Sequence, residues 1–263
     1  MGSSRGATVA VVGGGVIGLS CAWQAAAAGF TVAVHDPVPG SGASWVAGGM
    51  LAPLTETMPG EPDVFALGEA ALRRWPGFAA ELAAVGADPG LQARGTLVVA
   101  LDPGDRAELD RLAEQLSRIG QRAEVLSGPQ VRRAEPSLGP QVRRALSVPD
   151  EKSVDNRALL DALLKACRGA GVQFHQQRCS TLPAADVVIL AAGVHSAALH
   201  PALHGVIRPV KGEILRLRAR PGALAPPSRT VRAIVGGRRP YLVPRPGGRV
   251  VLGATQRETG FDT

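Results

Sequence analysis

Three glycines and one carboxylate are the residues whose types and spacing first point to chemistry. In "VVGGGVIGLS", Gly13, Gly15 and Gly18 fit G-x-G-x-x-G, and Asp36 stands 18 residues beyond the last of them. Each position has a physical task in holding a dinucleotide. Gly13 makes a tight turn, Gly15 lets backbone amides approach a pyrophosphate, and Gly18 lets helix and strand pack closely. Gly14, Val16 and Ile17 complete the loop and open a helix, whose unpaired N–H groups and partial positive charge face the phosphates. Asp36, followed by Pro37, offers a carboxylate to both ribose hydroxyls and disfavours the 2′-phosphate of NADP.

The elements that must position these groups are legible around them. Residues 8–12 alternate and branch as a buried parallel strand does. From Val16 the pattern turns helical through Leu19, Ala22 and Trp23, and it closes at Gly29. Residues 31–36 form a second strand ending on the acid. The glycine motif alone is a weak signal. Strand, glycines, helix, second strand and acid, in order within about thirty residues, are what a dinucleotide site demands. The alternative is a glycine-rich strand–helix turn in another α/β fold.

The uncharged stretch "GASWVAGGMLAP" (42–53) follows almost at once. It is too glycine-rich for a good helix and too apolar for an exposed loop. An NAD-dependent enzyme usually continues here with further strand and helix. Small residues instead allow a planar ring to approach the backbone, and the lack of charge suits a water-poor site. A tight structural loop between domains is the alternative.

Bulk properties exclude several classes. A chain of 263 residues with 45% hydrophobic and 19% charged residues is an ordinary folded protein of one large domain or two modest ones. The net charge of +7 comes from 26 Arg and 3 Lys scattered among Ala, Gly and Pro, a skew that suits a high-GC genome. No basic stripe is interleaved with aromatics, so nucleic acid is not an expected partner. Cys21, Cys167 and Cys179 form no C-x-x-C pair, which argues against a disulfide framework or a zinc site and for a reduced, cytoplasmic setting. No apolar run approaches the roughly 20 residues of a membrane span. No Ser–His–Asp set or metal cluster is visible, and His35, His195 and His200 read as packing or capping residues.

Further along, residues 64–86 read as an amphipathic helix with Pro76 as a break. Residues 95–101 read as a strand, Asp105–Ile119 as a helix, and Asn156–Arg168 as another. "GVQFHQ" and "DVVILAAG" read as strands, and after residue 205 the pattern becomes antiparallel, with a hairpin over "PYLVPRPGGRVVLGAT". The expected fold is α/β, with a Rossmann-type nucleotide-binding domain (1–57 and 150–205) interleaved with a mixed, antiparallel-sheet substrate domain (58–149 and 206–263).

"GASWVAGGMLAP", "VDNRALLDAL", "IRPVKGEILRLR" and "YLVPRPGGRVVLGAT", in this order, resemble the glycine oxidases of thiamine biosynthesis, within the D-amino-acid oxidase family of FAD enzymes. The resemblance implies FAD as cofactor and oxidation of glycine or a similar small amine, giving an imine, ammonia and hydrogen peroxide with oxygen as acceptor. It implies that Ser44 contacts the cofactor, that Gly48, Gly49 and Met50 line the flavin ring, and that Cys179, Ala192 and Gly193 meet the nucleotide. Tyr241 matches the family's tyrosine that holds the substrate carboxylate. Arg239, two residues earlier, would share its face on a regular strand and reach the same group. The flavin carries the hard step, so no side chain is assigned a catalytic role. Family members continue beyond the point matched by Thr263, with a "GLRP"-type segment whose arginine grips the carboxylate. The substrate domain is therefore expected to be C-terminally shortened and the activity of this form reduced. A D-amino-acid or sarcosine-type oxidase or dehydrogenase, a non-catalytic flavin-binding fragment and a homo-oligomeric state all remain compatible with the residues.

Overall fold

The computed structural model describes residues 6–58, 60–86 and 88–261. The chain opens with β1 (Thr8–Val12), α1 (Val16–Ala27) and β2 (Thr31–His35), then a one-turn helix α2 (Ala43–Val46) and the short strand β3 (Met50–Leu51). There follow α3 (Pro62–Ala84), β4 (Leu91–Gln92), β5 (Thr96–Ala100), α4 (Pro103–Arg118), β6 (Glu124–Ser127) and α5 (Gly128–Ala134). Next come β7 (Arg144–Val148), β8 (Lys152–Val154), α6 (Asn156–Gly169), β9 (Gln173–His175) and β10 (Val187–Leu190). The last strands are β11 (Leu215–Arg218), β12 (Thr230–Ile234), β13 (Tyr241–Arg245) and β14 (Arg249–Gly253).

The strands form three sheets. A four-stranded parallel sheet has the order β10-β1-β2-β9. Val9, Val11, Val32 and Val34 of its central strands are buried with Leu19 and Trp23 of α1 and with Leu159, Leu163 and Cys167 of α6. Burial pushes the Cys167 thiol up to about 12, and its Sγ donates to the Leu19 carbonyl, so it is a packing residue and an inert thiol.

A seven-stranded mixed sheet runs β11-β14-β13-β12-β5-β7-β6. Its strands pair antiparallel except for β5 and β12, which run parallel with Arg232 opposite Val98. This parallel seam joins Thr96 to Thr230, 134 residues apart, inside an otherwise antiparallel sheet. Leu109 and Leu116 of α4 cover one face with Val98, Leu146 and Ile234, while Val131 of α5 packs with Leu97, Val99 and Ala145 on the other.

The third sheet, β3-β8-β4, is small and consequential. It pairs Met50 with Ser153 and Leu91 with Val154, which fastens the glycine-rich segment to the chain just before α6.

One helix departs from expectation. Pro76 lies inside an uninterrupted α3 and does not break it. The proline removes one backbone hydrogen bond on an exposed face. Trp75 and Phe78, on either side of it, pack edge-to-face, and Phe78 meets Trp23 of α1 at 5.5 Å. That tertiary contact holds the helical geometry against the local preference.

Candidate functional site

The glycine loop is closed by its neighbours. Gly13 has φ +108°, and a Cβ there would lie 2.3 Å from the Ala191 carbonyl oxygen and 2.7 Å from the Ala192 Cα. Only glycine satisfies both the backbone angle and this contact. Ala192 and Gly193, at the end of β10, are thereby brought against the fingerprint. A Cβ on Gly18 would fall 1.9 Å from the Gly13 carbonyl oxygen, so this glycine serves the close passage of α1 over its own loop.

Three amides of the loop are committed. Gly13 N–H donates to His35 O, Gly14 N–H to Asp36 Oδ2 at 2.7 Å, and Val16 N–H to Ser44 Oγ at 3.0 Å. The Gly15 and Ile17 N–H groups have no protein acceptor among the described residues, and they point from the helix N-terminus where an anion would be held. Asp36 also accepts from Val38 N–H at 2.8 Å, so its carboxylate fixes the glycine loop and its own turn. A carboxylate has about four lone-pair sites, which leaves acceptor capacity for a ribose hydroxyl. Pro37 is exposed at the start of this turn, and Cys179 is half-buried in the link after β9.

The segment after β2 is held by residues far along the chain. Ser44 caps α1 with its side chain, while its carbonyl and that of Trp45 accept from Asn156 Nδ2 at 2.8 and 2.9 Å. The Arg157 guanidinium lies over the Trp45 ring at 4.3 Å. The Gly48 carbonyl accepts from Arg245 at 2.6 Å, and the Gly49 carbonyl from Val154 N–H at 2.8 Å. Gly49 has φ +76°, and a Cβ there would stand 2.2 Å from the Val154 carbonyl oxygen. Its small size is demanded by the chain itself. Gly48 differs: a Cβ there would meet the Tyr241 hydroxyl at 2.7 Å. Gly48 and the Tyr241 hydroxyl are therefore in one place, 193 residues apart in sequence. Met50, on β3, is half-buried beside them.

Tyr241 is half-buried, and burial together with the Glu56 carboxylate pushes its phenol above the ordinary range, so the hydroxyl is a donor at neutral pH. Arg239 does not share its strand or its environment. β13 begins only at Tyr241, and Arg239, on the preceding connection, is ion-paired with Glu108 of α4. The expectation of a regular strand through 239 fails at Pro240, which has no N–H to give the ladder: pairing resumes only at the Val235–Arg238 bridge that closes the Gly236–Gly237 turn.

Two arginines stand where sequence reasoning placed none. Arg232 lies directly across from Tyr241, on β12, and is buried; it donates to Glu56 at 2.7 Å and to Thr55 Oγ1 at 3.1 Å. Arg245 is buried beneath the Gly48 carbonyl. The only available signal was their place at alternating positions in otherwise apolar strands.

Beneath them, fully buried Glu151 accepts from Thr55 N–H at 2.6 Å and from Thr55 Oγ1 at 3.1 Å. Burial pushes its carboxyl above the ordinary glutamate range, against the Thr55 hydrogen bonds and the charge of Arg232. The folded state thus holds this proton more tightly than the unfolded chain. That contribution to stability is fully present below the ordinary glutamate range and is lost as pH rises through the raised value. Glu151→Gln is expected to remove this decline. Urea unfolding at several pH values between about 4 and 8 tests it, and equal slopes in wild type and variant would refute the assignment.

The family model of the FAD dependent oxidoreductases (DAO) matches residues 8–263. The chain belongs to this family. It is an FAD-dependent oxidoreductase. A Rhizobium etli protein provisionally named thiamine biosynthesis oxidoreductase ThiO is 34% identical over 260 residues, spanning 95% of this chain and 72% of that protein. The glycine oxidase of Geobacillus kaustophilus is 30% identical over 276 residues, covering 97% of this chain and 71% of the relative. Its crystal structure superposes with a TM-score of 0.85 over 98% of this chain and 74% of that one, at 29% identity. The glycine oxidase of Bacillus cereus also superposes at 0.85, with 26% identity over 97% of this chain and 73% of its own. This DAO-family chain fits FAD by its own geometry: unpaired amides lie at the α1 N-terminus, and the neutral 42–51 segment runs between that helix and Tyr241. No helix among the described residues is long and apolar enough to cross a membrane, and no cluster of His, Cys, Asp or Glu among them could hold a metal.

Proposed function

We propose that the chain oxidises the carbon–nitrogen bond of glycine or a similar small amine within thiamine biosynthesis, giving an imine that water hydrolyses to a glyoxylate-type product and ammonia. When bound, FAD supplies the acceptor for the two electrons and the α-hydrogen, and oxygen takes them onward as hydrogen peroxide. The observation that carries this reading is the contact between the Tyr241 hydroxyl and Gly48, which joins a substrate-binding donor to the ring-lining segment. Names and likeness of the glycine oxidases support it.

In this reading the amides at Gly15 and Ile17 hold the pyrophosphate, with Gly13, Gly14, Val16 and Gly18 shaping the loop. Asp36 and Pro37 border the ribose, Cys179 the adenine, and Ser44, Gly48, Gly49, Met50, Ala192 and Gly193 the flavin. Tyr241 donates its phenolic proton in a hydrogen bond to the substrate carboxylate and orients the α-carbon toward the ring. The nucleotide-binding part comprises residues 1–57 and 150–205, and the substrate part 58–149 and 206–263.

FAD-loaded protein mixed anaerobically with glycine, sarcosine or D-alanine is expected to lose its yellow colour, and air is expected to restore it with peroxide release. Tyr241→Phe is expected to raise KM for glycine about tenfold, the loss of one hydrogen bond to a charged group. A yellow protein that none of these amines bleaches would overturn the reading.

A further inference from the structure

A cavity of about 260 Å³ opens on the far side of Arg232 from Tyr241. It is lined by Thr55, Thr57, Met58, Val98 and Ile234, and by three arginines, Arg111, Arg232 and Arg239. Glu108 is in the same wall and is paired with Arg239, while Glu56 is paired with Arg232. Arg232 and Arg239 are thus each ion-paired, while Arg111 has no carboxylate partner among the described residues. The volume is several times that of glycine.

The sheet fixes how far this cavity lies from the reaction site. Tyr241 is on β13 beside Gly48, Arg232 is its cross-strand neighbour on β12, and Val98 is the next residue across on β5. Adjacent strands lie about 4.8 Å apart. The cavity therefore begins one strand spacing from the tyrosine and extends about two. A group two to four bonds beyond the reacting amine would reach it.

We propose that this cavity takes a carboxylate carried at the far end of the substrate, so that the chain prefers a small dicarboxylic amine over glycine itself. The inference rests on the amine-oxidation reading. The Arg111 guanidinium, without a carboxylate partner among the described residues, matches one carboxylate, and a guanidinium fork binds that planar group in bidentate fashion. Arg232 is buried and held in place by Glu56 and Thr55, so its geometry is set before substrate arrives. Glu108 and Arg239 adjust the charge from the opposite wall.

The two walls supply a test with opposite signs. FAD-loaded full chain is assayed with N-(2-carboxyethyl)glycine and its neutral amide, N-(2-carbamoylethyl)glycine, which differ in charge and hardly in shape. The ratio of kcat/KM values is expected to favour the acid at least tenfold. Arg239→Gln removes a positive charge and exposes Glu108, so the ratio should fall severalfold. Glu108→Gln removes the competing carboxylate, so the ratio should rise. Mere disruption of the ion pair would move both variants the same way, and that result overturns the proposal, as does a wild-type ratio near one. If neither compound nor glycine reduces the flavin, amine oxidation is wrong. Calorimetric titration of the same two compounds then still decides the site, through tighter binding of the acid with the same opposite shifts in the two variants.

Discussion

Asp36→Ala is expected to lower FAD affinity at least tenfold. The carboxylate accepts from the Gly14 and Val38 amides, and each such bond to a charged acceptor is worth about 1.5–3 kcal/mol. Losing the first lets the glycine loop drift, and in the proposed reading a ribose contact is lost in addition. About 1.4 kcal/mol already corresponds to a factor of ten in Kd. Asp36→Asn should recover part of the loss, because an amide oxygen still accepts one of the two bonds. Equilibrium titration of apo-protein with FAD, followed by flavin fluorescence, measures both variants. Wild-type affinity in Asp36→Ala would show that the carboxylate is incidental to the nucleotide.

Gly49→Val is expected to destabilise the apo-protein by about 3 kcal/mol or more, from a backbone angle that branched residues avoid and an overpacked contact. Its Cβ would lie 2.2 Å from the Val154 carbonyl oxygen, and the strand pairing of Met50 with Ser153 is the next contact along. FAD binding should be lost with it, because the segment no longer docks. Gly48→Ala meets the hydroxyl and ring edge of Tyr241 at 2.7–3.0 Å, and no backbone atom. That variant should cost less stability than Gly49→Val while weakening substrate binding. An unchanged urea midpoint for Gly49→Val would show that β3 and β8 do not hold the segment.

The contrast between these two glycines shows where sequence reasoning stops. The fingerprint at 13–18, the strands flanking it and Asp36 were legible because a local pattern carries them, within a single strand–helix–strand unit. The 42–53 stretch was legible as unusual, but its support was not. Gly49 is small for the sake of Val154, and Gly48 for the sake of Tyr241; neither partner lies within 100 residues. Arg232 and Arg245 were passed over for the same reason. A charged residue in an apolar strand has no meaning until the strand's neighbours are known, and β12 finds its parallel partner β5 across 134 residues. Arg239 shows the reverse error. A two-residue spacing implies a shared face only when the strand extends through both positions, and here Pro240 interrupts the ladder between them.

The scattered support of the 42–51 segment also constrains the order in which the molecule is made. Its docking partners include Val154, Asn156, Arg157, Arg216, Tyr241 and Arg245, so a growing chain exposes this neutral, apolar stretch until about residue 245 has emerged. Contacts of such long sequence separation close slowly, because loop entropy is spent before they form. The parallel sheet around α1 can gather earlier, but only up to a half-shaped nucleotide loop, since Val16 waits for Ser44 and Ser44 for Asn156. A competent FAD site is therefore among the last features to appear during synthesis, and capture of the flavin marks a chain whose distant strands have already found each other.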